Sequence, residues 1–324
     1  MKIKLPISVN YRNNYVSEDL AILIPTKDRP FELKRLLQSI VEFEKRLGRI
    51  IVIASGMDVE DLVMTFMEFL PIEYYRSEPG QVQQRNIGIS VLDHTTKLVA
   101  TLDDDVVFGK KSISEMINYW NCVGQDTAGV GFNIVNQPPH SHTWLKGLFG
   151  VSVFEPGKVL KCGRNTSICN VNQNIKTEWL NGGGTVWLQS ILQENPHTEI
   201  NSRWAVFEDL IFSYQIGKNY SLYVCHESQI EIDDNTKEKE SISMNFYRGK
   251  TQFLWKLYFI KKNLNLSSIL HYYSELIHLI HHLFKGITDY NKFFWGLGIA
   301  YGMFLSLRLY LSKKTLTNLI EENT

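Results

Sequence analysis

The sequence lacks the cysteine pairs that mark disulfide frameworks and zinc sites. Its four cysteines show no C-x-x-C spacing, and a chain of 324 residues does not need disulfides to fold. We therefore expect reduced thiols and a cytoplasmic protein. Residues 1–6 contain no long apolar run, so no secretory signal is predicted there.

An excess of charge is also missing. Lys and Arg together number 34, as do Asp and Glu, and the formal net charge is zero. No recognisable nucleic-acid-binding module is present, so no nucleic-acid partner is expected. The balance hides a split, because residues 1–235 carry 22 basic and 28 acidic residues and residues 236–324 carry 12 basic and 6 acidic ones. The split indicates an acidic, metal-using body and a basic tail that faces an anionic surface.

A bilayer-spanning apolar run is absent as well. Phe293–Leu307 has 15 residues without a charge, whereas a spanning helix needs about 20 apolar residues. This segment also contains three glycines. We favour a helix that lies at a membrane interface or packs against protein over one that spans.

Short apolar runs alternate with helical patterns over the first hundred residues. Strands are predicted at Leu20–Ile24, Ile50–Ile53, Ile72–Tyr75 and Lys97–Leu102, and helices after Pro30, near Val59–Leu70 and near Val82–Leu92. This alternation predicts an α/β fold with a mostly parallel sheet and helices on both faces. Ligands in such sheets bind beyond the carboxyl ends of the strands.

Polar segments follow three of these strands. They are Pro25–Arg29, Ala54–Gly56 and Asp103–Asp105. Three adjacent carboxylates repel one another and are costly to desolvate. They suit a divalent cation that also binds phosphate oxygens. A solvated turn with a helix-capping aspartate is the alternative interpretation of the triplet taken alone.

Several separated motifs, in order, resemble those of family-2 glycosyltransferases, which have the GT-A fold. They are Pro25-Thr26-Lys27-Asp28-Arg29, Gln84-Arg85-Asn86-Ile87-Gly88, Asp103-Asp104-Asp105, Trp179-Leu180-Asn181-Gly182-Gly183, Glu208-Asp209, His226 and Phe246-Tyr247-Arg248-Gly249-Lys250. The third resembles the D-x-D metal motif and the fifth the E-D motif that holds the catalytic base. The resemblance covers residues 1–235, with the last motif similar to the start of the C-terminal helices in bacterial members.

The resemblance implies transfer of a sugar from a nucleotide-diphospho-sugar to a hydroxyl, on a glycan or lipid-linked glycan, in surface polysaccharide synthesis. It assigns Pro25, Thr26, Asp28, Arg29, Ser55, Arg85, Asp103 and Asp104 to the donor nucleotide. It assigns Asp103, Asp105 and His226 to Mn²⁺ or Mg²⁺, and Trp179, Gly182 and Gly183 to the acceptor. Asp209 is the expected catalytic base in an inverting transfer, and Glu208 is expected at the catalytic centre beside it, either orienting or binding the acceptor.

One turn departs from the family's pattern, and alternatives remain. Family members usually carry an acidic residue just after the second strand, where this chain has Ala54-Ser55-Gly56. The nearest acid is Asp58, so the sequence does not specify the nucleotide base. A nucleotidyltransferase lacks support because no Gly-rich, Lys-bearing loop follows the first strand. A catalytically inactive, membrane-bound sugar-nucleotide sensor or scaffold stays open.

Residues 236–324 are predicted to form a helical region outside the catalytic domain at 1–235. From Arg248 through Ser274 there are five basic residues and no acidic ones, and aromatic residues interleave with them. This composition predicts a helix in the membrane interface, with Lys256 at anionic lipid. The protein would then be peripheral on the inner face of the cell membrane. A basic helical subdomain packed on the sheet, without lipid, is the alternative.

Overall fold

The computed structural model describes residues 13–43, 46–200, 206–233, 241–309 and 315–323. Two predictions fall outside these ranges. One is the missing signal in residues 1–6, and the other is the domain boundary between residues 235 and 236.

The predicted parallel sheet is confirmed in the first part of the chain. Its elements are β1 (Leu20–Lys27), α1 (Pro30–Phe43), β2 (Arg49–Ser55), α2 (Glu60–Met64), β3 (Ile72–Arg76), α3 (Gln81–Ser90) and β4 (Leu98–Leu102). The strands lie in the order β3-β2-β1-β4, and each neighbouring pair is parallel. The second helix is shorter than predicted, because α2 ends at Met64 and tight turns follow it.

Both faces of β1 are buried, which explains its nearly unbroken apolar sequence. Ile22 and Ile24 join the core on the side of α1, while Ala21 and Leu23 join the core on the side of α3, with Ile89. Successive side chains of a strand point to opposite faces, so a central strand needs apolar residues at every position. Each fully buried aliphatic side chain contributes about 1.5–3 kcal/mol.

The second part of the chain makes the sheet mixed. It contains β5 (Val106–Phe108), α4 (Ser112–Trp120), β6 (Thr127–Ile134), α5 (Trp144–Leu148), β7 (Ile175–Thr177), β8 (Gly184–Leu188), α6 (Gln189–Glu194), α7 (Glu208–Gly217) and β9 (Ser221–Ile232). The order continues from β4 through β8, β6 and β9 to β5, and β7 also pairs with β9. β8 lies antiparallel to β4. The segment just before β8 therefore meets the carboxyl end of β4.

Four helices follow the sheet, and the first of them is packed against protein. They are α8 (Ile242–Lys261), α9 (Ser268–Lys285), α10 (Tyr290–Arg308) and α11 (Leu316–Asn323). Phe253, Trp255 and Tyr258 of α8 are buried. A Cβ on Gly249 or Gly298 would overlap the backbone of the facing helix, so these glycines let α8 and α10 touch. The prediction that this helix lies in a membrane interface is wrong, since its aromatic side chains are used in the contact.

Lys256 is likewise not at a lipid surface. Its ammonium is buried, with Nζ 2.7 Å from Glu275 Oε1 on α9. Arg164 Nη2 lies 3.1 Å from the same oxygen. A buried lysine needs such a partner because an unpaired charge is costly to desolvate. These contacts join α8, α9 and the loop around Arg164.

Within the described ranges, every helix falls short of the length and apolar character that crossing a membrane requires.

Candidate active site

The predicted site lies where β4 ends. Asp103 follows β4, and its backbone N–H donates to the carbonyl of Gly183, at 3.2 Å. A Cβ on Gly183 would overlap the Asp103 carboxylate. Glycine at this position therefore lets the Gly182-Gly183 segment lie directly against the first aspartate. The structure thus brings together two motifs that are 80 residues apart in the sequence.

The three consecutive aspartates have different surroundings. Asp104 is buried and accepts hydrogen bonds from Thr26 Oγ1, at 2.7 Å, and from Arg29 Nη1, at 3.0 Å. Burial raises the pKa of Asp104 to about 6, against the opposite effect of these two bonds. Asp104 therefore ties the end of β1 to the end of β4, which is a structural role different from its predicted nucleotide contact.

Asp103 and Asp105 are more open than Asp104. The Asp103 side chain is 41% exposed and accepts from Gln81 Nε2, at 2.8 Å. Asp105 accepts from Arg29 Nη1 at 3.0 Å, and burial raises the pKa of Asp105, with the Asp103 charge adding to the effect. These are the two carboxylates of the triplet that can face a ligand.

The loops after β1 and β2 are fastened to each other at the same edge. Asp28 Oδ1 accepts from the backbone N–H of Met57, at 2.7 Å. Pro25 lies inside β1, next to Ile53 of β2, and Ser55 is buried at the end of β2. Asp28 is therefore the carboxylate beside the turn that lacks the family's acidic residue. Contacts of these residues with a nucleotide stay a prediction.

Arg85 links Asp103 to Glu208. We call Glu208, Asp209 and the residues around them the base region, after the predicted catalytic base Asp209. Its side chain is fully buried on α3, with Nη2 3.0 Å from Asp103 Oδ1 and Nη1 paired with Glu208 Oε1. A guanidinium can hold two carboxylates in a fixed geometry. The sequence predicted Arg85 at the nucleotide, and the structure shows it between two acidic motifs.

Glu208 and Asp209 begin α7, and the pKa values of their carboxyls are shifted in opposite directions. Burial alone would raise the pKa of Glu208, but Arg85 and His197 outweigh it and lower that pKa to about 2. Burial and the neighbouring Glu208 carboxylate raise the pKa of Asp209 to about 6. Two adjacent carboxylates with separated pKa values suit different roles, one as a fixed charge and one as a proton acceptor.

The turn before these residues is held by the C-terminal helices. Phe207 has a left-handed backbone, with φ of 66°, which is uncommon for a bulky residue and is found at functional sites. Lys256 Nζ lies 5.3 Å from the centre of the Phe207 ring. The buried ion pair of Lys256 therefore supports the residue that precedes Glu208 and Asp209.

Sequence reasoning missed His197, which lies against Glu208. Its Nδ1 is 3.3 Å from Glu208 Oε2, and its ring stacks on Phe212 at 4.0 Å between centres. Asn86 holds this segment, accepting from the His197 N–H at 3.1 Å and donating to its carbonyl at 3.1 Å. Arg85 and Asn86, adjacent on α3, each fix part of the region around Glu208, but no local pattern in the sequence links Asn86 to His197.

Of the three predicted acceptor residues, Gly182 lies beside Glu208 and Asp209, Gly183 lies against Asp103, and Trp179 lies at neither place. A Cβ on Gly182 would lie 2.8 Å from Arg85 Nη1 and 3.1 Å from the Asp209 Cβ. Trp179 is buried in the core, and its indole N–H donates to the carbonyl of Thr166 at 3.0 Å. We correct its assignment from acceptor contact to core packing.

His226 is not brought to the aspartates. β9 does not end before His226 but continues through it to Ile232. The backbone carbonyl of Asp105 accepts from the Asp233 N–H at 2.8 Å, so Asp105 lies beside the far end of β9. The four residue steps from Gln229 to Asp233 span about 13 Å of extended chain, and His226 lies beyond them. We therefore remove His226 from the metal ligands.

The remaining carboxylates fit a metal that binds together with a diphosphate. In the part of the chain that the structure describes, no three His, Cys, Asp or Glu side chains form a metal cluster. Mg²⁺ in phosphate sites uses one or two carboxylates, phosphate oxygens and waters rather than an all-protein cage. Asp103 and Asp105 supply such a pair, with Arg29 and Arg85 limiting their repulsion.

We predict that kcat falls as the pH is lowered from 8 to 5, with a midpoint near pH 6. The raised pKa of Asp209 means that it takes up a proton near pH 6, whereas an ordinary aspartate stays ionised to about pH 4. A protonated Asp209 cannot accept the acceptor's proton. Measuring kcat at saturating donor separates proton transfer from donor binding. Donor binding would respond to the protonation of Asp104, whose pKa is also about 6. A rate that stays flat from pH 8 to 5 would contradict this assignment.

Two solved structures are similar to this chain, and the first of them supports the fold. The mannosyltransferase PcManGT from Pyrobaculum calidifontis, in complex with GDP-Man and Mn²⁺, superposes with a TM-score of 0.53 at 12% identity, over 94% of this chain and 79% of that chain. S. aureus TarS, residues 1–349, gives a TM-score of 0.48 at 12% identity, over 83% of this chain and 73% of that chain. No curated protein sequence matches significantly.

The fold, with a site at the carboxyl ends of its parallel strands, is that of a GT-A glycosyltransferase that uses a nucleotide-sugar donor. Residues 21–173 match the model described as Glycosyl transferase family 2. This match, which runs from β1 to the loop before β7, confirms the resemblance seen in the sequence.

Proposed function

We propose that the enzyme is an inverting, metal-dependent glycosyltransferase of the hexosyltransferase type. It moves a sugar from a nucleotide-diphospho-sugar to a hydroxyl of a lipid-linked glycan, at the inner face of the cell membrane. The observation that carries the proposal is the division of the site by Arg85. Asp103 and Asp105 lie on one side of its guanidinium, and Glu208 and Asp209 lie on the other.

The first side of the site would hold the leaving group. Breaking the bond between C1 and the diphosphate oxygen leaves negative charge on the nucleoside diphosphate. Asp103 and Asp105 would hold Mn²⁺ or Mg²⁺, which as a Lewis acid stabilises that charge. The Mn²⁺ and GDP-Man bound by PcManGT make this ion and GDP sugars the first choices to test. Arg29, 41% exposed at the same edge, can meet phosphate oxygens.

The second side would activate the acceptor. Asp209 takes the hydroxyl proton while the acceptor oxygen forms its bond to C1, and the electron pair of the broken bond leaves with the diphosphate. Glu208 is held by Arg85 and His197, so it is not available as a nucleophile for a two-step, retaining reaction. One base and one displacement invert the anomeric carbon. Gly182 lies next to both carboxylates, where a Cβ would crowd Asp209 and Glu208.

The test is a transfer assay with UDP, GDP and dTDP sugars, followed by NMR of the product's anomeric configuration. We expect nucleoside diphosphate release, an inverted product and loss of activity with EDTA. Asp105→Asn should lower activity at least 100-fold, because one of two metal-binding carboxylates is removed. His226→Ala is the matched control and should keep wild-type activity. A retained configuration, or nucleotide binding without any turnover, would contradict the proposal, and the second result would favour the inactive sensor or scaffold.

A further inference from the structure

The outer face of α9 is apolar along its whole length. Its side chains recur every three or four residues and are between 46% and 81% exposed: Ile269, Tyr273, Leu276, Ile280 and Phe284. Ile287 continues the row just after the helix and is 80% exposed. Residues with this spacing share one helical face. The opposite face already packs on the protein through His271, Glu275 and His282, so burial within the chain does not explain the outer row.

A second apolar row lies on the neighbouring helix. In α10 the exposed residues again follow helical spacing: Tyr290, Phe293, Leu297, Tyr301 and Phe304. The two helices are joined by residues 286–289 and packed together, with the His282 ring stacked parallel to Trp295 at 5.6 Å. We call the two rows together the α9–α10 face. Contiguous apolar surfaces of this kind mark sites that bind a partner or a membrane.

Helix α5 adds exposed apolar residues beside this face. Trp144 and Leu148 are each at least 70% exposed. A cavity of about 620 Å³ separates α5 from α9 and is lined by Leu148 on one side and by Leu270 and Tyr273 on the other. The apolar surface therefore extends from α9 across to α5.

Three lysines lie at the edge of α9 and α10, whereas the cavity beside α5 is lined by charges of both signs: Glu155, Lys158, Lys161 and Glu178. Burial and the three lysines Lys285, Lys292 and Lys146 lower the pKa of His281 on α9, which places all three lysines near that ring. The two carboxylates of α9 and α10 are engaged, since Glu275 is buried with Lys256, and Asp289 accepts from the Asn291 N–H at the start of α10. Apolar rows with lysines at their edge match an anionic bilayer surface.

We propose that the α9–α10 face, with α5, is the surface by which the enzyme docks on an anionic lipid bilayer. The helices lie in the plane of the interface, with the apolar rows among the acyl chains and Lys146, Lys285 and Lys292 at the lipid phosphates. A second copy of the chain fits less well, because a two-fold contact would place the same lysines opposite one another. This inference rests on the membrane location in the proposed function. It assigns the contact with the membrane to α9, α10 and α5 instead of to α8.

The experiment is sedimentation with vesicles of phosphatidylcholine alone or with 30% phosphatidylglycerol. We expect the full chain to bind the anionic vesicles, and Ile280→Glu/Phe284→Glu to lose binding at least tenfold. Lys285→Gln/Lys292→Gln should lose about 30-fold on anionic vesicles, since each lysine near such a surface contributes about fivefold. The matched controls are Phe69→Glu and Lys34→Gln/Lys110→Gln, which replace exposed residues elsewhere and should bind as wild type.

Two further measurements keep the outcomes distinct. Light scattering should show a monomer, and a wild-type dimer that dissociates in Ile280→Glu/Phe284→Glu would assign the face to a second copy and overturn the proposal. Unchanged vesicle binding by that variant, or no binding by wild type, would also overturn it. Donor hydrolysis without vesicles should be equal in wild type and variant. Loss of hydrolysis in both would instead count against the proposed function.

Discussion

Asp209→Asn should abolish glycosyl transfer while leaving donor binding intact. The amide keeps the size of the side chain but cannot accept the proton of the acceptor hydroxyl, and a positioned base contributes about 10²–10⁴-fold to a rate. We therefore expect kcat to fall by that factor, with the dissociation constant of the nucleotide sugar unchanged. Steady-state kinetics and donor titration check the two halves of this prediction separately.

Stability provides an independent check on the same variant. The carboxylate of Asp209 is buried, and its raised pKa shows that its charge is unfavourable in the folded chain at neutral pH. Removing that charge should leave the melting temperature at pH 7 equal to or above that of wild type, as is common when a strained functional group is replaced. Full transfer activity in Asp209→Asn, or its unfolding, would exclude the role assigned to this residue.

Arg85→Met should destabilise the fold strongly. Arg85 is 1% exposed and compensates two carboxylates, Asp103 and Glu208. Removing one partner of a buried ion pair leaves an uncompensated charge and costs about 3–5 kcal/mol. We expect a loss of that size in the free energy of unfolding measured with denaturant, together with loss of transfer.

Arg29→Met is the matched control for this variant. Arg29 also contacts two carboxylates of the same motif, Asp104 and Asp105, but it is 41% exposed. Water reaches its guanidinium and screens both pairs, so the loss of Arg29 should cost less than the loss of the fully buried Arg85. The double variant Arg85→Met/Glu208→Gln should recover part of the lost stability, because the unpaired buried charge is gone. Equal, small effects for Arg85→Met and Arg29→Met would show that Arg85 does not link the two halves of the site.

The sheet and its carboxyl edge were predictable because each central strand is apolar at every position. The unbroken apolar runs Leu20–Ile24 and Ile50–Ile53 predict buried strands. In a parallel sheet the polar residues that follow such strands meet at one edge. Asp103 and Asp105 follow from this argument alone. Asp104 does not, since nothing local shows that it faces Thr26 and the interior.

The errors have identifiable causes. His226 was assigned to the metal because Glu227, Gln229 and Glu231 after it resemble a polar loop. Ser228 and Ile230 between them are buried, which is the alternation of a half-buried strand, so the strand continues past His226. Trp179 was assigned to the acceptor because it begins the motif that resembles the family's acceptor segment, but its side chain is buried in the core.

The position of α8 depends on contacts that the sequence does not display. Its aromatic and basic residues suit a membrane interface equally well, and only the close approach allowed by Gly249 and Gly298 brings it under α10. The position of His197 also depends on a distant contact, because its backbone N–H donates to the side chain of Asn86, 111 residues earlier in the sequence. Both outcomes are long-range packing, which local patterns do not encode.

The most direct test of the account is calorimetric titration of the nucleotide sugar that wild type turns over, with Mn²⁺, into Asp209→Asn and Asp105→Asn. If Asp103 and Asp105 hold the donor and Asp209 serves only the acceptor, Asp209→Asn binds the donor with wild-type affinity and Asp105→Asn loses metal-dependent binding. Wild-type donor affinity in Asp105→Asn, or equal loss in both variants, would contradict this division of the site.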